Sequence, residues 1–186
     1  MTEPLNELVV QRVNDLGSTP WSGTTYRHTT EGRDPLSGVG ARMFGGRWNP
    51  RNAFPTIYLT NPLRTGMLEL DRLAEASGTT PERLISRGYE LHTIQVEHLS
   101  ILDLRTDAAL AAVGLNLEDI ADDDWTACQT VGQAAWFLEM QGVLAPSASR
   151  EGHVLAVFEN RAHPGQLTAT STVPLDLATY ESAHGL

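Results

Sequence analysis

Over residues 62–77 the apolar side chains Leu63, Met67, Leu70 and Ala74 fall at i, i+4, i+7 and i+11, one face of an α-helix. Asn61-Pro62 offers an N-cap followed by a helix-compatible proline, and Gly78 offers a stop. Thr80-Pro81 repeats the start signal for a shorter helix over 81–87. Residues 106–113 read as a short alanine-rich helix. A longer helix is expected over 124–141, with Trp125, Cys128, Val131, Ala135 and Leu138 inward and Gly142 as its terminator. The acids Asp122, Asp123 and Asp124 ahead of it complement a helix dipole.

Other segments carry the β-branched and apolar composition of strands: 24–29, 56–60, 89–96, 99–104, 143–146, 153–160 and 167–173. Residues 30–55 have no period and are rich in Gly, Pro, Asn and Arg. They are expected to form a long loop, ordered by the aromatics Phe44, Trp48 and Phe54. Residues 1–20 read as a lead-in with one short helix, and the tail DLATYESAHGL as a frayed helix. Strands and helices mix without strict alternation, so the expected fold is α+β, with one domain over 21–180.

Charge changes this picture at one place. The chain has 186 residues and a net charge of -10, and all 13 of its basic residues are arginine. From Arg27 to Arg51 there are five arginines (27, 33, 42, 47, 51) against Glu31 and Asp34, a balance of +3. The other eight arginines and 21 acids give -13. Such a chain repels a phosphate polymer, so nucleic acid is excluded as the main ligand, whereas a small anion in the basic island fits. The absence of lysine excludes a P-loop and a Schiff base. One cysteine excludes an internal disulfide. No segment has the apolar length of a membrane helix, and the N-terminus lacks a signal pattern, so a soluble cytoplasmic protein is expected.

Conventional motifs are missing. The six histidines form no HxxxH or HxxEH pair, so no metal site is expected, and His92 reads as structural. Cys128 reads as a buried inert thiol. What remains is Arg27 in a strand, Arg47 in the glycine loop FGGRWNP, Tyr58 in the next strand and Glu69 in the helix after it. Glu69 sits at the edge of the apolar stripe, where a carboxylate is half desolvated unless a partner meets it. Each residue has an ordinary alternative: a surface arginine, a loop lock, a core tyrosine, a solvated glutamate. Together they suit one chemistry. Arginines hold a pyrophosphate, an aromatic stacks on a base, and a carboxylate steadies an oxocarbenium-like ribose. That combination fits cleavage of the nicotinamide–ribose bond of NAD+.

The segments YRHT, GARMFGGRWNP, IYLT and MLEL resemble the RES-domain toxin family, named for Arg, Glu and Ser residues, and the likeness runs from about residue 22 to about 175. The resemblance implies a fold like ADP-ribosyltransferase toxins, a split β-core flanked by helices. It implies a toxin of a toxin–antitoxin pair that degrades NAD+ by phosphorolysis, releasing nicotinamide and ADP-ribose-1″-phosphate. NAD+ is then substrate, inorganic phosphate co-substrate, and no cofactor is needed. The implied partner is a small helical, Xre-like antitoxin that blocks the active site. Family members also hydrolyse NAD+ or ADP-ribosylate proteins, so these alternatives stay open, as does a non-catalytic anion-binding domain. By the same likeness Arg27 and Glu69 are catalytic, with Arg47, Tyr58, His28 and Trp48 in substrate binding. The family serine corresponds either to Thr126, placed in the catalytic set, or to Ser147 of APSA, placed in the binding set.

Overall fold

The computed structural model describes residues 5–185. Residues 1–4 of the expected lead-in and Leu186 of the expected tail lie outside the described residues. The elements in chain order are α1 (Glu7–Leu16), β1 (Thr19–Thr30), α2 (Val39–Phe44), β2 (Thr56–Asn61), α3 (Leu63–Ala76), α4 (Pro81–Ile85) and β3 (Tyr89–Asp103). They continue as α5 (Asp107–Val113), α6 (Leu117–Ala121), α7 (Thr126–Phe137), β4 (Gly142–Pro146), β5 (His153–Phe158), β6 (Leu167–Pro174) and α8 (Leu177–His184). The α+β expectation holds.

The strand order is β1-β2-β5-β4-β3-β6, and β1 also pairs with β3. Five strands therefore close into a ring, and β6 adds to β3 outside it. Alternation along the strands gives the ring an inside and an outside. Ile57, Leu59, Ile94, Val96, Leu99, Ile101, Leu144, Leu155 and Val157 form one buried cluster, the ring's interior. The opposite faces of β2, β4 and β5 present Tyr58, Val143, Ala145, Ala156 and Phe158 to a second cluster with α1, α5 and α7. A third cluster joins Met67, Leu70 and Ala74 of α3 to Leu84, Leu91, Leu175 and Tyr180.

The ring has a weak seam. β1 pairs with β3 from Thr19↔Ile101 to Thr30↔Tyr89, with one register shift between Trp21 and Gly23, but with β2 only at Tyr26↔Thr60. Side chains stitch that point: Thr60 Oγ1 donates to Tyr26 O (3.1 Å) and Asn61 Nδ2 to Thr24 O (2.7 Å). Beyond it, Arg27–Thr30 follow β3 and leave β2, so the barrel is split beside Arg27.

Several local expectations are corrected. The strands expected over 89–96 and 99–104 are one strand, β3, which absorbs Glu97-His98 as an exposed irregularity with His98 at φ 53. Part of the expected 30–55 loop is the helix α2, whose residues are not buried, so no periodic apolar stripe announced it. Asn61 is not the cap of α3; it ends β2 and spends its side chain on Thr24. α7 ends at Phe137, with Glu139 taking the left-handed conformation (φ 62), and Gly142 instead opens β4. α6 was not expected; Asn116 and Asp119 close a capping box at its start. The tail helix is docked, not frayed: Tyr180 donates to Asp71 Oδ1 (2.6 Å), and His184 Nε2 lies 2.8 Å from Asp71 Oδ2. Among the described residues no helix is long and apolar enough to cross a membrane.

Candidate active site

The split between β1 and β2 opens into a cavity of about 520 Å³, in the range of small-molecule sites. Tyr26, Arg27 and His28 of β1 form one wall, Tyr58 and Thr60 of β2 another, and Gly45–Trp48 a third. α3 contributes Glu69, Arg72, Leu73 and Ala76, a second helical stripe at i, i+3, i+4 and i+7 beside its core stripe. Asp123 and Trp125 close the rim. Three arginines face two acids there, a locally positive site in an acidic protein. A second cavity of about 510 Å³ is lined by Glu31, Glu82, Glu90 and Asp176 and by no arginine, so it repels an anionic ligand.

The loop FGGRWNP is held by its own residues. Tyr58 Oη accepts from Trp48 N (2.9 Å) and donates to Asn49 Oδ1 (2.7 Å). Buried Asn49 donates from Nδ2 to Ala41 O (2.8 Å), and Gln129 Nε2 donates to Gly46 O (2.9 Å). A Cβ on Gly46 would collide with the Tyr58 hydroxyl, and one on Gly132 of α7 would collide with Trp48 O. These two glycines thus allow close protein packing. Burial pushes the Tyr58 hydroxyl's pKa up, and its hydrogen bonds leave only the ring face for a ligand.

Trp48 touches the cavity, yet it is 1% exposed and belongs to the helical core cluster. Its side chain anchors the loop in the core and offers a ligand little surface. Arg47 reaches the cavity and donates from Nη1 to Asp122 O (2.8 Å) and Asp119 O (3.4 Å), with its guanidinium 5.6 Å from the Trp125 ring centroid. Arg27 donates from Nη1 to Pro35 O (2.5 Å) and from Nη2 to Ser37 O (3.1 Å). Both arginines therefore lock loops while facing the cavity: Arg47 as the loop lock its ordinary alternative gave, and Arg27 as a part-buried loop lock and not the surface arginine of its alternative. Burial lowers the Arg27 pKa from its ordinary value, against the opposing pull of Asp34 and Glu159. Burial, then Arg27 and His92, pushes His28 down to about 4, so His28 is neutral near pH 7. His92 is structural, as expected, lying 2.8 Å from Thr29 Oγ1 and 2.9 Å from Thr172 Oγ1. Cys128 is buried, which raises its thiol to about 11.

Glu69 is half-buried at the cavity and accepts a short hydrogen bond from the Ser147 hydroxyl. Ser147 is 1% exposed and is itself held by Ser149, whose Oγ lies 2.8 Å away and whose N–H donates to it at 3.1 Å. The structure brings Ser147 to the carboxylate but not to the cavity wall. Thr126 is placed elsewhere: it is exposed, it donates to Asp124 Oδ1 (2.7 Å) at the start of α7, and it does not line the cavity. Its hydroxyl orders the helix start.

Of the lining residues that the sequence reading does not place at the site, Arg72 and Trp125 bear most on its chemistry. Arg72 lies three residues after Glu69, and the helical period already placed it on the same face. Trp125 was read as an inward helix residue. Because α7 starts at Thr126, two residues later than expected, Trp125 is its N-cap and is 36% exposed at the rim.

The model of the RES domain family matches residues 21–178. The chain is 50% identical over 181 residues to the NAD(+) phosphorylase MbcT of Mycobacterium bovis and to that of Mycobacterium tuberculosis, with 97% of both chains covered in each case. Among solved structures it is similar to a chain of the M. tuberculosis MbcT–MbcA toxin–antitoxin complex, with a TM-score of 0.94 and 49% identity over 98% of this chain and 100% of that one.

Proposed function

The chain belongs to the RES domain family, and we propose that it is an NAD+ phosphorylase acting as the toxin of a toxin–antitoxin pair. The observation that carries this reading is the union, in one cavity, of a serine-held carboxylate, Glu69, with a set of arginines. The near full-length likeness to NAD(+) phosphorylases supports it.

In this reading Arg27 and Arg47 clamp the pyrophosphate with the N–H donors their loop bonds leave free. The face of Tyr58 stacks on nicotinamide, and neutral His28 lies on the β1 wall beside Arg27 without adding charge. Glu69 binds ribose hydroxyls and stabilises the cationic ribose as the glycosidic bond lengthens. Nicotinamide departs with the bonding pair on its ring nitrogen, which turns a pyridinium into a neutral base. No general acid is needed. An oxygen of inorganic phosphate then bonds to the anomeric carbon, giving ADP-ribose-1″-phosphate. Ser147 fills the family serine role by fixing Glu69, and Thr126 serves the fold of α7. NAD+ and phosphate are the substrates.

The partner is a small antitoxin that covers the cavity. Exposed Leu73 lines the cavity, and Val39, Met43 and Phe44 leave apolar surface on α2, whose Ala41 lines it too; Phe44 is 74% exposed. The test is whether the purified chain releases nicotinamide from NAD+ and whether that release requires inorganic phosphate.

A further inference from the structure

We propose that Arg72 binds the incoming phosphate and makes phosphate, not water, the acceptor. The inference rests on the NAD+ phosphorylase reading and assigns a residue to its second substrate.

A phosphate that attacks the anomeric carbon must come close to the Glu69 carboxylate, which repels it. A phosphorylase therefore needs a cation on the same side as Glu69. Arg72 is that cation by helical geometry: residues three apart on a helix have Cβ atoms about 5–6 Å apart, and both side chains line the cavity. Its two fellow arginines are occupied by the pyrophosphate in this reading, and by loop carbonyls besides. Arg27 is bonded to Pro35 and Ser37 carbonyls, and Arg47 to those of Asp119 and Asp122. Arg72 makes an ion pair at 4.0 Å with Asp123, whose side chain is fully exposed, while that of Arg72 is 39% exposed. Such a pair contributes little in solvent and yields readily to a better anion. The guanidinium fork matches two phosphate oxygens. Asp123 thus holds Arg72 in place until phosphate displaces it.

The step balances. The N-glycosidic pair leaves on nicotinamide, and a lone pair of HPO4(2-) forms the new C–O bond. One of the two negative charges of the phosphate cancels the positive charge lost with the pyridinium, and the new phosphate ester keeps the other charge and the proton.

The test uses the full chain, its Arg72→Gln and Arg72→Lys variants, and nicotinamide release measured against both NAD+ and inorganic phosphate. Loss of a bidentate charged contact should raise the phosphate KM of Arg72→Gln by about tenfold or more, with the NAD+ KM within about threefold. The share of product lacking phosphate should rise, and Arg72→Lys should fall between. An unchanged phosphate KM in Arg72→Gln overturns the inference, as does an equal rise in both KM values, which marks a structural role. If the wild type releases no nicotinamide, the NAD+ reading fails by itself. Binding of inorganic phosphate, followed by 31P line broadening, then decides: loss in Arg72→Gln supports the inference, and equal binding overturns it.

Discussion

Ser147 and Glu69 are 78 residues apart in the chain and joined by a hydrogen bond in the fold, the buried hydroxyl donating to the cavity-facing carboxylate. β4 ends at Pro146 and delivers Ser147 beneath α3, so a strand terminus aims a helix side chain. Positioning of this kind is worth most when charge develops nearby, because a preformed carboxylate need not reorganise as the ribose turns cationic.

Replacing Glu69 by Gln keeps the shape and removes the charge. The kcat for nicotinamide release should fall by at least about 100-fold, the scale of losing one preorganised electrostatic group. A rate within a few fold of wild type would remove Glu69 from the chemistry.

Ser147→Ala should lower kcat by about 10- to 100-fold, as loss of an orienting partner does at other preorganised sites. Thr126→Ala should leave kcat within about threefold, since its hydroxyl is spent on Asp124 at the start of α7. Comparing the two in one assay separates the candidates. A greater loss in the threonine variant would return the family serine role to position 126.

Gly46→Ala forces a methyl group onto the Tyr58 hydroxyl and disturbs its bonds to Trp48 and Asn49. Overpacking of this kind costs about 1–3 kcal/mol, so the melting temperature should drop by several degrees, readable by calorimetry. An unchanged melting temperature would mean that the loop has room to give.

His28 carries the pH prediction. Its folded pKa, about 4, lies below the unfolded value of 6.5. The unfolded chain therefore takes up a proton that the folded chain refuses, and stability falls as pH drops from 6.5 toward 4. The slope from this group alone is at most about 1.4 kcal/mol per pH unit. His28→Gln should flatten the melting temperature against pH over that window relative to wild type. Superimposable profiles would show that His28 takes up its proton when folded.

Much of the site could be read along the chain because its parts are local. FGGRWNP, the Tyr58 strand and the Glu69 helix each sit in a short segment with its own pattern, and the stripe 69, 72, 73, 76 continues from Glu69 by the helical period alone. Following that stripe would have found Arg72. Ring closure is different in kind, because the β1–β3 pairing joins Thr19 to Ile101, and alternation within a strand does not name its partner. The choice between Thr126 and Ser147 was hidden for the same reason: it depends on where β4 ends relative to α3. Trp125 turns to the rim because the helix boundary lies two residues later than the pattern predicts, which takes it out of the helix and makes it the N-cap.

The most direct measurement is to incubate the purified chain with NAD+ in the presence and absence of inorganic phosphate and to identify the products by chromatography and 31P NMR. The account predicts nicotinamide release that depends on phosphate, with ADP-ribose-1″-phosphate as the matching product. Release of plain ADP-ribose at the same rate without phosphate would make the protein a hydrolase, and no release under either condition would contradict the proposed activity.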